Sequence, residues 1–307
     1  MNCLIAIVGP TAVGKSHLGN LIAKDYPVEI VNADSRQIYK YMDIGTSKPS
    51  SNERARTPYH VLDIIKPDQE YSVALYQREA AIAIDDIQAR EKLPLLIGGS
   101  GQYIWSLIEG WQIPKVPPDT SLRKNLAMKA AMEGTENLYR ELETIDPIAA
   151  ARIPPRNLRR IIRALEVHLK TGRKPSELQA KRGIGYKYLI IGLTAERDML
   201  YSIIDNRVER MIEIGLVDEV KNLLDMGYGP GLPAMSSLGY REVAAYLKGK
   251  ITLGNAVEKI KFGTHRFARS QYAWFRLNDP RIVWFDICDD NHEKVNYTIK
   301  TFLEKAS

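Results

Sequence analysis

Gly9-Pro10-Thr11-Ala12-Val13-Gly14-Lys15-Ser16 is a complete phosphate-binding loop. It follows Leu4-Ile5-Ala6-Ile7-Val8, an unbroken apolar run that reads as a buried strand. It precedes His17 to Lys24, where Leu18, Leu21 and Ile22 fall at helical spacing. Strand, glycine-rich turn and helix in that order lift the pattern above an eight-residue coincidence. Backbone N–H groups of such a turn cradle a pyrophosphate at a helix N-terminus. Lys15 adds a point charge, and the Ser16 hydroxyl suits Mg²⁺ ligation. The loop does not say which pyrophosphate is held; ATP is only the commonest answer.

The same grammar continues outward. Val28-Glu29-Ile30-Val31 reads as a second strand ending near Asp34, and Val73 to Arg90 as a long helix. Leu93-Pro94-Leu95-Leu96-Ile97 reads as a third strand, followed by the turn Gly98-Gly99-Ser100-Gly101 and a helix through Trp105 and Leu107. This alternation predicts an α/β fold: a P-loop NTPase-like parallel sheet flanked by helices. Ligands of such sheets bind at the carboxyl ends of the strands. The loop, Asp34 and the glycine turn all follow strands. From Pro114 to about Arg182 the pattern is helical only, with Pro114, Pro117 and Pro118 at its edge. Strands return at Tyr188 to Leu193 and at Ile282 to Phe285. The expected organisation is a core in two parts, residues 1–112 and 183–307, with an all-helical insertion at 113–182.

Composition narrows the class. The 307 residues are 45% hydrophobic, and no apolar run approaches the roughly 20 residues that span a membrane. The N-terminus enters a strand without a basic leader, so no signal peptide is expected. Two cysteines make neither a disulfide framework nor a zinc cluster and suit a reducing cytosol. A cytoplasmic monomer without membrane contact is the expectation. The net charge of +6 favours an acidic partner, depending on where the charge lies.

Two helices concentrate it. Arg156, Arg159, Arg160 and Arg163 fall within about 100° of arc, opposite Leu158, Ile161, Ile162, Leu165 and Leu169. Between Thr252 and Arg276, the residues Lys259, Arg266, Arg269 and Arg276 again share about 100°, beside Tyr272, Trp274 and Phe275. One such face is as easily a solvated surface paired with carboxylates. Two of them in a P-loop protein favour contacts to nucleic-acid phosphates, with the aromatics either core or stacking platforms. Asp34 has two readings as well: a base beside the phosphate site, or a helix N-cap. Asp85-Asp86 and Asp286 are weak candidates for the metal-binding acid of an ATPase. His60, His168 and His265 read as structural or surface residues.

An ordered series of motifs then resembles one family, the tRNA dimethylallyltransferases (isopentenyl-tRNA transferases) in their short bacterial form. The series is residues 9–16, Asn32-Ala33-Asp34-Ser35-Arg36-Gln37-Ile38-Tyr39, Tyr41-Met42-Asp43-Ile44-Gly45-Thr46-Ser47-Lys48-Pro49 and Gly98-Gly99-Ser100-Gly101-Gln102-Tyr103. It continues with Arg160 to Val167, Leu238-Gly239-Tyr240-Arg241-Glu242 and Arg269-Ser270-Gln271-Tyr272-Ala273-Trp274-Phe275-Arg276. The resemblance implies transfer of a dimethylallyl group from dimethylallyl diphosphate to N6 of the adenosine next to the anticodon in tRNA. It implies that Asp34 is the general base and that Lys15 and Arg207 act on the diphosphate. Gly9, Thr11, Ala12, Val13, Gly14, Lys15, Ser16 and Ser100 would bind that diphosphate, with Mg²⁺ on Ser16 through it. Asp34, Ser35, Arg36 and Gln37 would contact the adenosine. Arg159, Arg160, Arg163, Ser236, Gly239, Tyr240, Arg241, Arg269, Gln271 and Arg276 would contact the rest of the tRNA.

The chain departs from the family pattern at several places. Pro154-Pro155-Arg156-Asn157 replaces His-Pro-Asn-Asp, Ile203 stands where arginine is common, Tyr59 replaces a histidine, and Ser100 replaces a threonine. Competing readings are a P-loop kinase of a small molecule, an adenylate isopentenyltransferase acting on free nucleotide, and a non-catalytic RNA-binding protein. The last leaves the intact loop and Asp34 unexplained.

Overall fold

The computed structural model describes residues 2–306 apart from 115, 179, 180, 182, 184 and 290. Arg182, the expected end of the insertion, therefore lies outside the described residues. The strands are β1 (Cys3–Val8), β2 (Val28–Asn32), β3 (Tyr59–His60), β4 (Leu93–Ile97), β5 (Lys187–Thr194) and β6 (Ile282–Asp286). Among the described residues they form one sheet in the order β3-β2-β4-β1-β5-β6, every pairing parallel. Every residue of β1, β2 and β4 is buried, as continuous apolar strands require when helices cover both faces. The order places β1 between β4 and β5 and β4 between β1 and β2, so the loops after β1, β2 and β4 share one edge. The two-residue β3 carries no apolar run of its own and exists by pairing with Ile30 and Val31.

Two compact units result: Met1–Ile108 with Gly185–Ser307, and Glu109–Ile184. The first contains the sheet and a continuous core that includes Ile5, Ile7, Ile30, Leu95, Ile97, Ile191 and Ile204. The second is built from the helices Thr120–Glu133, Thr135–Ile145, Pro147–Ala151, Leu158–Thr171 and Pro175–Leu178. Its own core comprises Leu126, Leu138, Leu142, Ile161, Ile162 and Leu165 among others. Leu169, expected on the apolar side, is instead 53% exposed, because that stripe turns outward in the helix's last turn.

Each unit buries a carboxylate that it satisfies completely. Glu29, 1% exposed on β2, accepts from Arg90 Nη2 at 2.8 Å, Lys92 Nζ at 2.8 Å and His60 Nε2 at 2.7 Å. The Arg90 hydrogen bond outweighs burial and holds its pKa down at about 2. Glu166, fully buried, accepts from the Asp119 amide at 2.7 Å, from Arg123 at 2.9 and 2.8 Å and from Arg163 at 2.5 Å. Burial pushes its pKa up, but these donors together bring it down to about 2. Both groups thus add stability that is complete above the unfolded value of ~4.3 and is lost as pH falls through about 2. A shift from 4.5 to about 2 corresponds to ~3 kcal/mol. Thermal melts between pH 5 and ~2 should show this acid limb, and Glu29→Gln should make it shallower. An acid limb of unchanged steepness in Glu29→Gln would remove Glu29 from the account.

Candidate active site

The loop at residues 9–16 emerges from β1 and runs directly into the helix Lys15–Asp25. Gly14, at a left-handed φ of 88°, hands the chain straight into the first turn, so the helix starts two residues before the apolar pattern alone suggests. Gly9 has φ 137°, and a Cβ there would sit 2.3 Å from the Leu193 carbonyl oxygen, so the loop passes β5 with no room for a side chain. Ala12 is held at φ 67°, a costly conformation for a residue with a Cβ and one that clusters at ligand sites. Lys15 Nζ donates to the carbonyls of Pro10 at 2.6 Å and Gly9 at 3.1 Å. Burial lowers its pKa to about 8; the negative Asp34 opposes that fall and the positive Arg207 adds to it. Burial lowers the pKa of Arg207 too, again against Asp34. The three catalytic candidates therefore sit within one another's electrostatic reach. Arg207 Nη1 lies 3.4 Å from Thr11 Oγ1.

Individual loop residues differ in what they offer. Val13 is buried, so it presents backbone only. Gly14 is exposed at the helix start, and Ser16 beside it is also solvent-accessible. The Thr11 amide is already donated to Gln271 Oε1 at 2.7 Å. Among the described residues no three His, Cys, Asp or Glu side chains gather to hold a metal. The accessible Ser16 hydroxyl fits a Mg²⁺ that arrives on a diphosphate, since Mg²⁺ is bound largely through substrate phosphates and retains water. Asp86 pairs with Arg90 at 2.7 Å, and Asp286 accepts from the Cys288 amide at 2.9 Å.

Asp34 is fixed by its own strand end. Buried Asn32 accepts from the Asp34 amide at 3.0 Å and donates to the carbonyls of Asp34 at 3.1 Å and Val61 at 3.0 Å. Asp34 Oδ1 accepts from the Arg36 amide at 2.8 Å, closing a turn rather than starting a helix. That removes the helix-cap reading. The neighbouring turn after β4 locks onto this one: Ser100 N donates to Ala33 O at 3.2 Å, and Ser35 N donates to Ser100 Oγ at 2.9 Å. A Cβ on Gly98 would lie 2.1 Å from Ala33 O, so only glycine allows the approach. Ser100, assigned to the diphosphate by resemblance, thus uses its hydroxyl oxygen on the turn that carries Asp34. Arg36 donates to Pro233 O at 3.0 Å, and Gln37 Nε2 donates to the carbonyls of Thr46 at 3.0 Å and Ser47 at 3.1 Å.

That second loop is held by a residue the motifs did not single out. Glu219 accepts from the amides of Asp43 at 2.9 Å, Ile44 at 2.8 Å and Gly45 at 3.2 Å, and from the Tyr240 hydroxyl at 2.6 Å. Tyr240 is fully buried, so its side chain holds this loop and does not reach an RNA surface. Gly239 N donates to Glu242 Oε2 at 3.0 Å. Exposed Ser236 donates to Pro233 O at 2.6 Å, and Arg241, 62% exposed, pairs with Glu242 at 2.5 Å.

The basic faces divide in the same way. Arg159 and Arg160 are exposed and Arg156 is solvent-accessible, whereas Arg163 is committed to Glu166 and to Val116 O at 2.9 Å. On the helix Leu253–Gln271, Lys259, Arg266 and Arg269 are exposed, with Arg269 donating to the Tyr201 hydroxyl. The helix ends at Gln271, so Arg276, though exposed, lies beyond it and the shared arc stops at Arg269. Gln271 itself is 3% exposed. Phe275 is core, Trp274 is 41% exposed, and the half-buried Tyr272 hydrogen-bonds Thr194 through its hydroxyl at 2.9 Å. His60 lies on Glu29, His265 stacks on Tyr201 at 4.0 Å, and His168 Nδ1 lies 3.2 Å from Arg173 O, all structural places.

Comparison with known proteins matches this geometry. A family model described as IPP transferase matches residues 37–278. The chain is 46% identical to the tRNA dimethylallyltransferase of Thermomicrobium roseum, over 99% of this chain and 92% of that one. It is 52% identical to that of Roseiflexus castenholzii, over 91% of each. Among solved structures, the tRNA isopentenylpyrophosphate transferase of Bacillus halodurans superposes with a TM-score of 0.74 at 38% identity, covering 100% of this chain and 98% of that one. A eukaryotic dimethylallyltransferase described as acting on tRNA superposes at 0.82 with 27% identity, over 100% of this chain and 81% of that one. With a parallel sheet, a phosphate loop and relatives matched along nearly their whole lengths, the chain belongs to the IPP transferase family.

Proposed function

We propose that the chain transfers a dimethylallyl group from dimethylallyl diphosphate to N6 of the adenosine adjacent to the anticodon in tRNA, releasing diphosphate. The carrying observation is the electrostatic convergence of Lys15, in the loop after β1, and Asp34, in the turn after β2, at the carboxyl edge of the sheet, with Arg207 reaching the loop at Thr11. Two cations at the loop supply the charge for a leaving group, and the carboxylate of Asp34 acts on both of them. As the allylic C–O bond breaks, its electron pair leaves with the diphosphate, and the loop amides, Lys15 and Arg207 stabilise the growing negative charge. The N6 lone pair forms the new C–N bond, and Asp34 takes the N6 proton. Mg²⁺ on Ser16 would add charge neutralisation on the diphosphate. Gln37, braced on the carbonyls of Thr46 and Ser47, and Ser35 and Arg36 line the turn that meets the adenosine, which must leave the tRNA stack to enter. A tRNA substrate supports the cytoplasm as its compartment.

Incubation with bulk tRNA and labelled dimethylallyl diphosphate, followed by nucleoside mass spectrometry, should yield N6-dimethylallyladenosine. Phosphoryl transfer from ATP without allyl transfer, or prenylation of free nucleotide in preference to tRNA, would sink the proposal.

The basic faces supply affinity with little sequence information. Arg159 and Arg160 are the exposed pair on their helix, and Arg163 is withdrawn. Replacing Arg159 and Arg160 by glutamine should lower the slope of log affinity against log salt by about 0.7–0.9 for each phosphate no longer neutralised. A slope identical to wild type would return that face to ordinary solvated surface.

A further inference from the structure

We propose that Gln271 is a positioning residue that sets the leaving-group loop against the acceptor turn; this rests on the transfer reaction proposed above. Gln271 closes the helix whose outer face carries Lys259, Arg266 and Arg269, yet its side chain is buried. Its Oε1 accepts the Thr11 amide at 2.7 Å, and its Nε2 donates to the Gly99 carbonyl at 2.9 Å. The amide orientation follows from chemistry: reversed, it would set N–H against N–H and oxygen against oxygen. A Cβ on Gly99 would lie 2.1 Å from Nε2, so the carboxamide occupies the space a side chain would take. Gly99 adjoins Ser100, which holds Ser35 by its hydroxyl, and Ser35 adjoins Asp34.

One buried carboxamide therefore joins the loop that receives the diphosphate to the turn that carries the base. A primary amide offers an acceptor and a donor at the same end, which a carboxylate of the same size cannot do until it is protonated. Attack of N6 on the allylic carbon requires the two substrates in near-attack register, where a small misplacement costs much rate. Gln271 fixes that register without touching either reacting atom.

The test is the split between two affinities. Inorganic pyrophosphate binding, tRNA binding and the kcat and KM for dimethylallyl diphosphate are measured in wild type, Gln271→Glu, Gln271→Met and Gly99→Ala. Gln271→Glu keeps the acceptor for Thr11 but faces the Gly99 carbonyl with a carboxylate. Gly99→Ala displaces the amide without altering it, and so covers the case in which Gln271→Met fails to fold. All folded variants should bind pyrophosphate roughly tenfold or more weakly and lose kcat by a similar factor, with tRNA affinity unchanged. In Gln271→Glu the deficit relative to wild type should shrink as pH falls and the introduced carboxyl protonates, restoring a donor. Wild-type pyrophosphate affinity and kcat in Gln271→Glu and Gly99→Ala, or equal losses of pyrophosphate and tRNA affinity, would overturn the assignment. Failure of the wild-type protein itself to bind pyrophosphate would instead overturn the underlying reaction, and this inference with it.

Discussion

Asp34→Asn should lower dimethylallyl transfer by about 10²–10⁴-fold while tRNA binding survives. Asparagine retains an oxygen for the Arg36 amide, so the turn closed by Oδ1 persists. The brace from Asn32 to the backbone of residue 34 is independent of the side chain altogether. What disappears is the proton acceptor. An exocyclic adenine amine is a weak nucleophile, and without a base the new C–N bond leaves a cationic nitrogen beside Lys15 and Arg207. Single-turnover rates on tRNA, with tRNA affinity measured in parallel, give the result. Wild-type turnover in Asp34→Asn would refute the base assignment, and a collapse of tRNA affinity would make Asp34 a binding residue instead.

Lys15→Ala should have an effect of about 10²–10³ on transfer, the usual cost of removing one preorganised donor from a site of developing charge. Its pyrophosphate affinity should fall while tRNA affinity holds. The lowered pKa adds a signature that a purely structural lysine would lack. In the empty enzyme Lys15 titrates at about 8, and a bound diphosphate raises that value. Pyrophosphate affinity should therefore be full below pH 8 and decline above it, by up to ~10-fold per pH unit, until the pKa of the bound state is reached. Lys15→Ala should show no such decline. A wild-type affinity that is flat from pH 7 to ~10 would exclude Lys15 as the charge that meets the diphosphate.

The architecture was largely legible in the sequence because parallel strands covered on both faces are unbroken apolar runs. Leu4 to Val8 and Leu93 to Ile97 could hardly be read otherwise. The two-residue strand Tyr59–His60 was not, since its strand character comes only from its neighbour. In the site, local motifs located the loop after β1 and the turn after β2, whose defining residues are neighbours in sequence. They misjudged residues whose role is set by a distant partner. Tyr240 and Gln271 sit inside motifs matched to RNA binding, but one is buried on Glu219 and the other between Thr11 and Gly99. Arg163 lies on the arginine face by periodicity and is withdrawn from it by a buried carboxylate three residues on. Glu219 gave no local sign at all, because what it binds is three consecutive amides some 175 residues earlier.

The ends of the unit Glu109–Ile184 lie side by side: Gly183 N donates to Glu109 O at 3.1 Å, and Trp111 bridges Lys181 in antiparallel register. The chain therefore enters and leaves its helical excursion at neighbouring residues, here called its neck. The sheet's strand order contains no member of that excursion. In evolutionary terms the unit is a cassette. Recombination at the neck can lengthen, shorten or exchange it without rethreading a strand. The helices of that unit can thereby vary while the strands that carry the loop and Asp34 keep their order.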